Sequence, residues 1–193
     1  MIDSISTLNS PTIYESAIVA LWLTLPIVIG GVAHMFFVAN DWLPSLKVPI
    51  NEALFGKNKT WRGVVVMPLV TIPGALLLGM LGGVQPGSLS SSLPDVSLTL
   101  LGLCLGLGYV ILELPNSYLK RKLGIPPGGA PDQGAFWFIA MDQLDSAIGF
   151  AIVYALFFDF PAVTYLLLLI EFPFVALLVK RVLYWVRLKK SYL

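Results

Sequence analysis

The chain is poor in the residues that carry most proton-transfer and redox chemistry: 193 residues contain one histidine, His34, and one cysteine, Cys104. A lone cysteine excludes an internal disulfide and supplies no dithiol for redox exchange. Charge is scarce as well, at 12% Asp, Glu, Lys and Arg against roughly 25% in ordinary soluble domains. The net charge of +1 points to no particular partner and to no nucleic acid. Basic residues are absent from three whole regions: the N-terminal segment, the stretch around 85–95, and the junction around 159–161.

What is abundant is hydrocarbon. The chain is 57% hydrophobic, with a mean hydropathy of +0.84. A membrane span needs about 20 mostly apolar residues. Five stretches meet that length, at about 15–38, 64–84, 96–114, 135–158 and 162–184. The expected fold class is therefore an all-α integral membrane protein, a five-helix bundle forming one domain over residues 1–193. Asp159-Phe160-Pro161 makes the last two spans a tight hairpin. The connections 39–63 and 115–134 and the C-terminus hold all 12 Lys and Arg residues. With five spans these segments share one side, which the positive-inside rule places in the cytoplasm of a multi-pass cell-membrane protein. The N-terminus is then outside and the C-terminus inside. The start has no basic n-region and no small-residue cleavage site, so the first span is expected to be retained. Residues 85–94 are polar, turn-rich and uncharged, and read as a plain outer loop.

Two aspartates break the apolar pattern of the fourth span. Asp142 and Asp145 stand at i, i+3 and project from nearly one helix face. Each ionised carboxylate near the middle of a span costs at least ~2.5 kcal/mol, so the pair calls for a divalent cation, basic partners, or both. With Ser146 beside them they have the character of Mg²⁺ ligands, since Mg²⁺ takes a few carboxylates plus water and phosphate oxygens.

Two basic elements flank this pair in the sequence. Gly56-Lys57-Asn58-Lys59-Thr60-Trp61-Arg62-Gly63 leads into the second span, and Asn116-Ser117-Tyr118-Leu119-Lys120-Arg121-Lys122 follows the third. Lys and Arg suit phosphate oxygens, and Thr60 with backbone N–H groups at a helix start can complete a cradle. The same residues also suit a positive-inside anchor or an anionic-lipid contact. The Gly/Pro-rich stretch 126–134 is long enough to fold over a site, with Asp132 facing it or occupying a turn. Glu113 is either a third acidic partner or an interface residue. Glu171 has no such constellation around it, His34 reads as a packing residue, and Gly102, Gly106 and Gly108 read as a close helix contact.

Ser117-x-x-Lys120-Arg121 followed by Asp142-x-x-Asp145 resembles the signature of the CDP-diacylglycerol synthase superfamily of phosphatidate cytidylyltransferases. Lys59-Thr60-Trp61-x-Gly63 resembles that family's Lys-Thr-Trp-Glu-Gly element. The size and the five spans are similar to its archaeal branch, the CDP-archaeol synthases, over roughly residues 55–149. This chain departs from the larger family in three places: Pro126-Pro127 replaces a Lys-Asp pair, Gly128-Gly129 is all that remains of Gly-His-Gly-Gly, and Gln143 replaces the arginine of Asp-Arg-x-Asp. Asp132 is the candidate for the missing carboxylate.

The resemblance implies cytidylyl transfer from CTP to an anionic isoprenoid glycerol phosphate lipid, with Mg²⁺ as cofactor. It implies Asp142, Asp145 and, as a weaker third, Asp132 for the metal. Asp142, Asp145, Lys120 and Arg121 are the expected catalytic residues, and Asn58, Lys59, Thr60, Arg62, Asn116 and Ser117 the expected substrate contacts. A cation-coupled transporter would also use buried aspartates, but no internal repeat is found. A CDP-alcohol phosphotransferase would need an Asp-Gly and Asp-x-x-x-Asp pairing that this chain lacks. The oligomeric state is not legible in the sequence.

Overall fold

The computed structural model describes residues 12–82, 85–127 and 135–186, the side chains of 135–140 aside. Among the described residues its regular secondary structure is helical apart from one isolated antiparallel bridge, Pro49 to Thr60. The helices are α1 Ile13–Leu23, α2 Leu25–Ala39, α3 Glu52–Phe55, α4 Trp61–Met80, α5 Gly87–Ser92, α6 Leu98–Lys122, α7 Ala135–Phe157 and α8 Ala162–Trp185.

Among the described residues, four stretches are long and apolar enough to cross a membrane: Ile13–Ala39, Trp61–Met80, Leu98–Lys122 and Ala162–Trp185. The helix α7 is 23 residues long and lies between the last two. The first stretch is broken at Thr24. Pro26 has no N–H to return to the preceding turn, and Thr24 turns its own hydroxyl onto the Leu21 carbonyl at 2.7 Å. Across the bundle Tyr154 Oη donates to the Leu23 carbonyl at 2.8 Å, which ties α7 to the same break.

The long helices close into a ring in chain order. α2 packs on α4, α4 on α6, α6 on α7, α7 on α8, and α8 returns to α1. Glycines set the two tightest crossings. A Cβ on Gly106 would lie 2.4 Å from the Cα of Pro68, and one on Gly149 would lie 2.2 Å from the carbonyl oxygen of Gly108. Backbone therefore meets backbone where α6 crosses α4 and α7, as expected when small residues let membrane helices approach closely.

Two expectations are corrected. The third span was expected to end at residue 114, before Pro115, with 115–134 as a loop. Instead α6 runs on to Lys122 with Pro115 inside it. The missing N–H is offset by the pairing of the next two turns with α7, described below. Residues 85–94 are likewise no plain loop: α5 and the 3₁₀ turn Leu93–Asp95 fold back and bury Leu89 and Leu93 in the core.

Candidate active site

The Gly108–Gly149 crossing fixes the register of α6 against α7, and the two helices run antiparallel. The next turns of α6 therefore meet the preceding turns of α7. Ser146 comes opposite Glu113, with its hydroxyl 3.2 Å from Glu113 Oε1 and 3.0 Å from Asp145 Oδ1. It has one proton to give, so it serves one carboxylate at a time. One turn on, Asn116 Nδ2 donates to Asp142 Oδ1 at 2.7 Å and to Asp145 Oδ2 at 2.8 Å. Another turn on, Lys120 Nζ reaches both Asp142 oxygens at 2.5 Å. On α6 this face is Tyr109, Glu113, Asn116–Ser117 and Lys120, a helical 3–4 spacing.

The connection from α2 to α4 supplies the opposite wall. Asp41 and Leu43 adopt left-handed backbone at φ 51° and 53° and turn the chain off the end of α2. Ile50 N–H then bonds the Lys59 carbonyl at 2.9 Å, and Trp61 N–H bonds the Val48 carbonyl at 3.0 Å. Between these arms α3 is capped by Asn51, whose side chain accepts from Leu54 N–H at 3.0 Å. Gly56 ends α3 at φ +86°, and a Cβ there would meet Pro127 Cγ at 2.9 Å. Only a glycine gives that turn at this distance from the chain leaving α6. Lys59 then reaches back to form an ion pair with Glu113.

Arg62 lines the larger cavity and also has partners within the loop. It is buried, and its Nη1 donates to Asp41 Oδ1 at 3.0 Å and to the Trp42 carbonyl at 3.2 Å. It braces the loop from inside. Hydrogen bonds from Lys47 and then Arg62 hold the exposed Asp41 carboxyl below its ordinary range. Trp42 is pinned edge-on against Phe36 and Phe37, at centroid distances of 5.3 and 5.0 Å.

Three cavities meet at this end of the bundle, and Tyr109 lines all of them. The largest, about 430 Å³, lies under the α2–α4 connection and includes Lys57, Asn58, Lys59, Thr60, Arg62 and Glu113. A polar one of about 240 Å³ joins Asn58, Lys59, Ser117, Lys120, Arg121, Asp142, Asp145 and Lys180. The third, about 150 Å³, is mostly apolar and lies between α2 and α8. In the polar cavity Arg121 stands out, because its buried Nε and Nη1 have no hydrogen-bond partner among the described residues. Among the described residues its donors stay open beside carboxylates already engaged by Asn116 and Lys120, an arrangement that suits an anion.

Of the expected site residues, Asp142, Asp145, Ser117, Lys120, Arg121, Asn58 and Lys59 line the polar cavity, Thr60 and Arg62 line the larger one, and Asn116 bonds the two aspartates. Asp132 lies outside the described residues. Among the described residues no three His, Cys, Asp or Glu groups form a ready-made metal cage. The donors present still suit Mg²⁺. Asp142 and Asp145 converge on the single Asn116 nitrogen, both are hard oxygen ligands, and Mg²⁺ completes its shell with water and substrate phosphates. Glu113 belongs to the network through Ser146 and Lys59, and its 3–4 spacing from Tyr109, Asn116 and Lys120 is the signal that marks it. Tyr109, Gln143 and Lys180 were not anticipated.

The class defined so far is a helical bundle with four stretches of membrane-spanning character among the described residues, carrying paired carboxylates and a row of cations at one end. The family profile described as CarS-like, CDP-archaeol synthase matches residues 13–193, and the chain belongs to that family. It is 31% identical over 104 residues to the CDP-archaeol synthase of Pyrococcus furiosus, an alignment covering 53% of each chain. It is 30% identical over 130 residues to those of Saccharolobus solfataricus and Saccharolobus islandicus, covering 62% of this chain and 67% of theirs. The match thus spans about half the length of the Pyrococcus relative. No solved structure matches the chain.

Proposed function

We propose that the protein is a CTP-dependent cytidylyltransferase that converts 2,3-di-O-geranylgeranylglyceryl phosphate and CTP to CDP-archaeol and pyrophosphate. The observation that carries this reading is the convergence of Asp142 and Asp145 on Asn116 beside Lys120 and Arg121, whose Nε and Nη1 have no partner among the described residues. The names of the Pyrococcus and Saccharolobus relatives agree with it.

In the reaction an oxygen of the lipid phosphate attacks the α-phosphorus of CTP. The new P–O bond forms as the bond to the β-phosphate oxygen breaks, and its electron pair leaves on pyrophosphate. The nucleophile is already ionised, so no base has to remove a proton, which fits a site without histidine at its centre. The barrier is repulsion between two anions and charge growing on the leaving group, both eased by fixed cations. Arg121 and Lys120 hold phosphate oxygens, Lys120 leaving Asp142 as it does so. Lys59, Asn58, Thr60, Asn116 and Ser117 complete the nucleotide contacts, and Arg62 acts as a positioning residue that keeps the loop in place. Asp142 and Asp145 would hold Mg²⁺, which supplies further charge neutralisation at the phosphates.

The same reading takes α7 as a fifth span, with the N-terminus outside and the site facing the cytoplasm of a multi-pass cell-membrane protein. Support comes from the basic residues Lys57, Lys59, Arg62, Lys120, Arg121 and Lys180, which sit at one end of the bundle. Asp142 lies seven residues into α7, about 10 Å along its axis at 1.5 Å per residue. That depth is short of the bilayer centre in a core about 30 Å thick.

Pyrophosphate release by the purified protein tests this. It should require CTP, Mg²⁺ and the lipid phosphate together. Ion or solute flux in liposomes without pyrophosphate release would replace the enzyme by a transporter.

A further inference from the structure

The apolar cavity between α2 and α8 has no part in the chemistry described so far. Its walls are mainly apolar, with Val28, Gly31 and Met35 on α2 facing Phe172, Ala176 and Val179 on α8, and His34 of α2 also lines it. At one end it shares Tyr109, Gln143 and Lys180 with the polar cavity that holds Asp142, Asp145 and Arg121. The ring of helices is thinnest here, since α8 packs along α1 and makes only slight contact with α2. A volume of about 150 Å³ is below the roughly 300–1,000 Å³ that takes a whole drug-sized ligand. It suits part of a molecule whose remainder lies elsewhere.

Gly31 is the informative residue. At the helix crossings a glycine is demanded by its neighbour: a Cβ on Gly30 would come 2.4 Å from Thr71 Oγ1, and one on Gly74 would come 2.7 Å from Pro26 Cα. A Cβ on Gly31 would meet nothing within 4 Å. Packing therefore does not require glycine at 31, and neither does the backbone, which is ordinary helix. What the missing side chain does is leave space in the cavity, opposite a helix that carries Ala176.

We propose that this cavity is the subsite for a hydrocarbon chain of the lipid phosphate, admitted from the bilayer between α2 and α8, with Gly31 as the residue that sets how much chain it accepts. The apolar wall takes the chain, and Lys180 at the junction draws the anionic phosphate toward Arg121 and the acidic pair. The occupant is fixed by this continuity: an apolar slot that ends at a cation beside the phosphate-handling cavity matches an anionic lipid rather than a nucleotide. The inference rests on the cytidylyltransferase reading.

The test is a graded series, Gly31→Ala, Gly31→Leu and Gly31→Phe, assayed with CTP, Mg²⁺ and either 2,3-di-O-geranylgeranylglyceryl phosphate or a short-chain dialkylglyceryl phosphate. CTP binding, followed separately, reports that each variant is folded. A single methylene in an apolar pocket changes discrimination by about 10- to 200-fold. Gly31→Leu is therefore expected to raise KM for the long-chain lipid at least about tenfold, with CTP affinity and the short-chain KM near wild type. An equal KM change for both lipids, or none, in variants that bind CTP overturns the subsite. Absence of CDP-lipid from the wild-type protein with either lipid instead overturns the cytidylyltransferase reading itself, so the two failures are told apart.

Discussion

Lys120 spans both oxygens of Asp142 at 2.5 Å, with the lysine side chain 9% exposed and the carboxylate 42% exposed. The buried member is the cation and the accessible member is the anion. A phosphate arriving from the open side can therefore exchange with the carboxylate at Lys120 without either charge being stranded in hydrocarbon. Beside them, Arg121 Nε and Nη1 have no partner among the described residues.

Lys120→Met removes that exchange. Loss of one well-placed donor to developing charge typically lowers kcat by about 10²–10³, and a fall of that size is expected in CDP-lipid formation. Lys120→Arg should recover part of it. Thermal unfolding should shift little, because Asp142 retains Asn116 and access to water. A rate near wild type in Lys120→Met would return the lysine to a purely structural ion pair.

Asp145→Asn and Asp142→Asn keep the size of each side chain and remove its charge. Turnover is expected to become undetectable at any Mg²⁺ concentration, with expression and membrane insertion intact. Titrating Mg²⁺ against rate is the check. Full activity at a higher Mg²⁺ optimum would mean that the residue tunes the affinity and is not indispensable.

Gly106→Ala places a methyl 2.4 Å from Pro68 Cα, a backbone atom that cannot rotate away. Overpacking of this kind destabilises by about 1–3 kcal/mol. A clear fall in thermal midpoint is expected, whereas Gly31→Ala should leave it unchanged. Equal midpoints for the two would contradict the crossing geometry.

The loop under the larger cavity carries a pH signature. Asp41 is held below its ordinary value of 3.8 by hydrogen bonds from Lys47 and Arg62. A depressed carboxyl contributes order that is present above the unfolded pKa and lost as pH falls through the folded one. Trp42 fluorescence should therefore be constant from neutral pH down to about 4 and change below it. Asp41→Asn should show the altered signal already at neutral pH. An acid transition unaffected by Asp41→Asn would assign it to another group.

Much of this arrangement was legible in the residues, because helices impose it locally. The i, i+3 spacing put Asp142 and Asp145 on one face, and a single amide now binds both. The glycines of the third span foretold a close crossing, found against Pro68 and Gly149. What escaped depends on partners far away in the chain. Glu113 was ambiguous until Lys59 came to it from 54 residues away. Lys180 looked like one more C-terminal anchor until α8 brought it to the cavity. The third span read as ending at 114 because the apolar run stops there, whereas α6 continues to Lys122 with Asn116 and Lys120 bonded to α7. The bond from Arg62 to Asp41, 21 residues away, was likewise announced by nothing nearby in the sequence.

The most direct measurement follows the label. The purified protein is given Mg²⁺, the lipid phosphate and CTP labelled at either the α- or the γ-phosphate. Cytidylyl transfer predicts that α-label appears in the lipid and γ-label only in pyrophosphate, with both products lost in Asp145→Asn. Lipid carrying γ-label, or no labelled lipid from either CTP, would contradict the account.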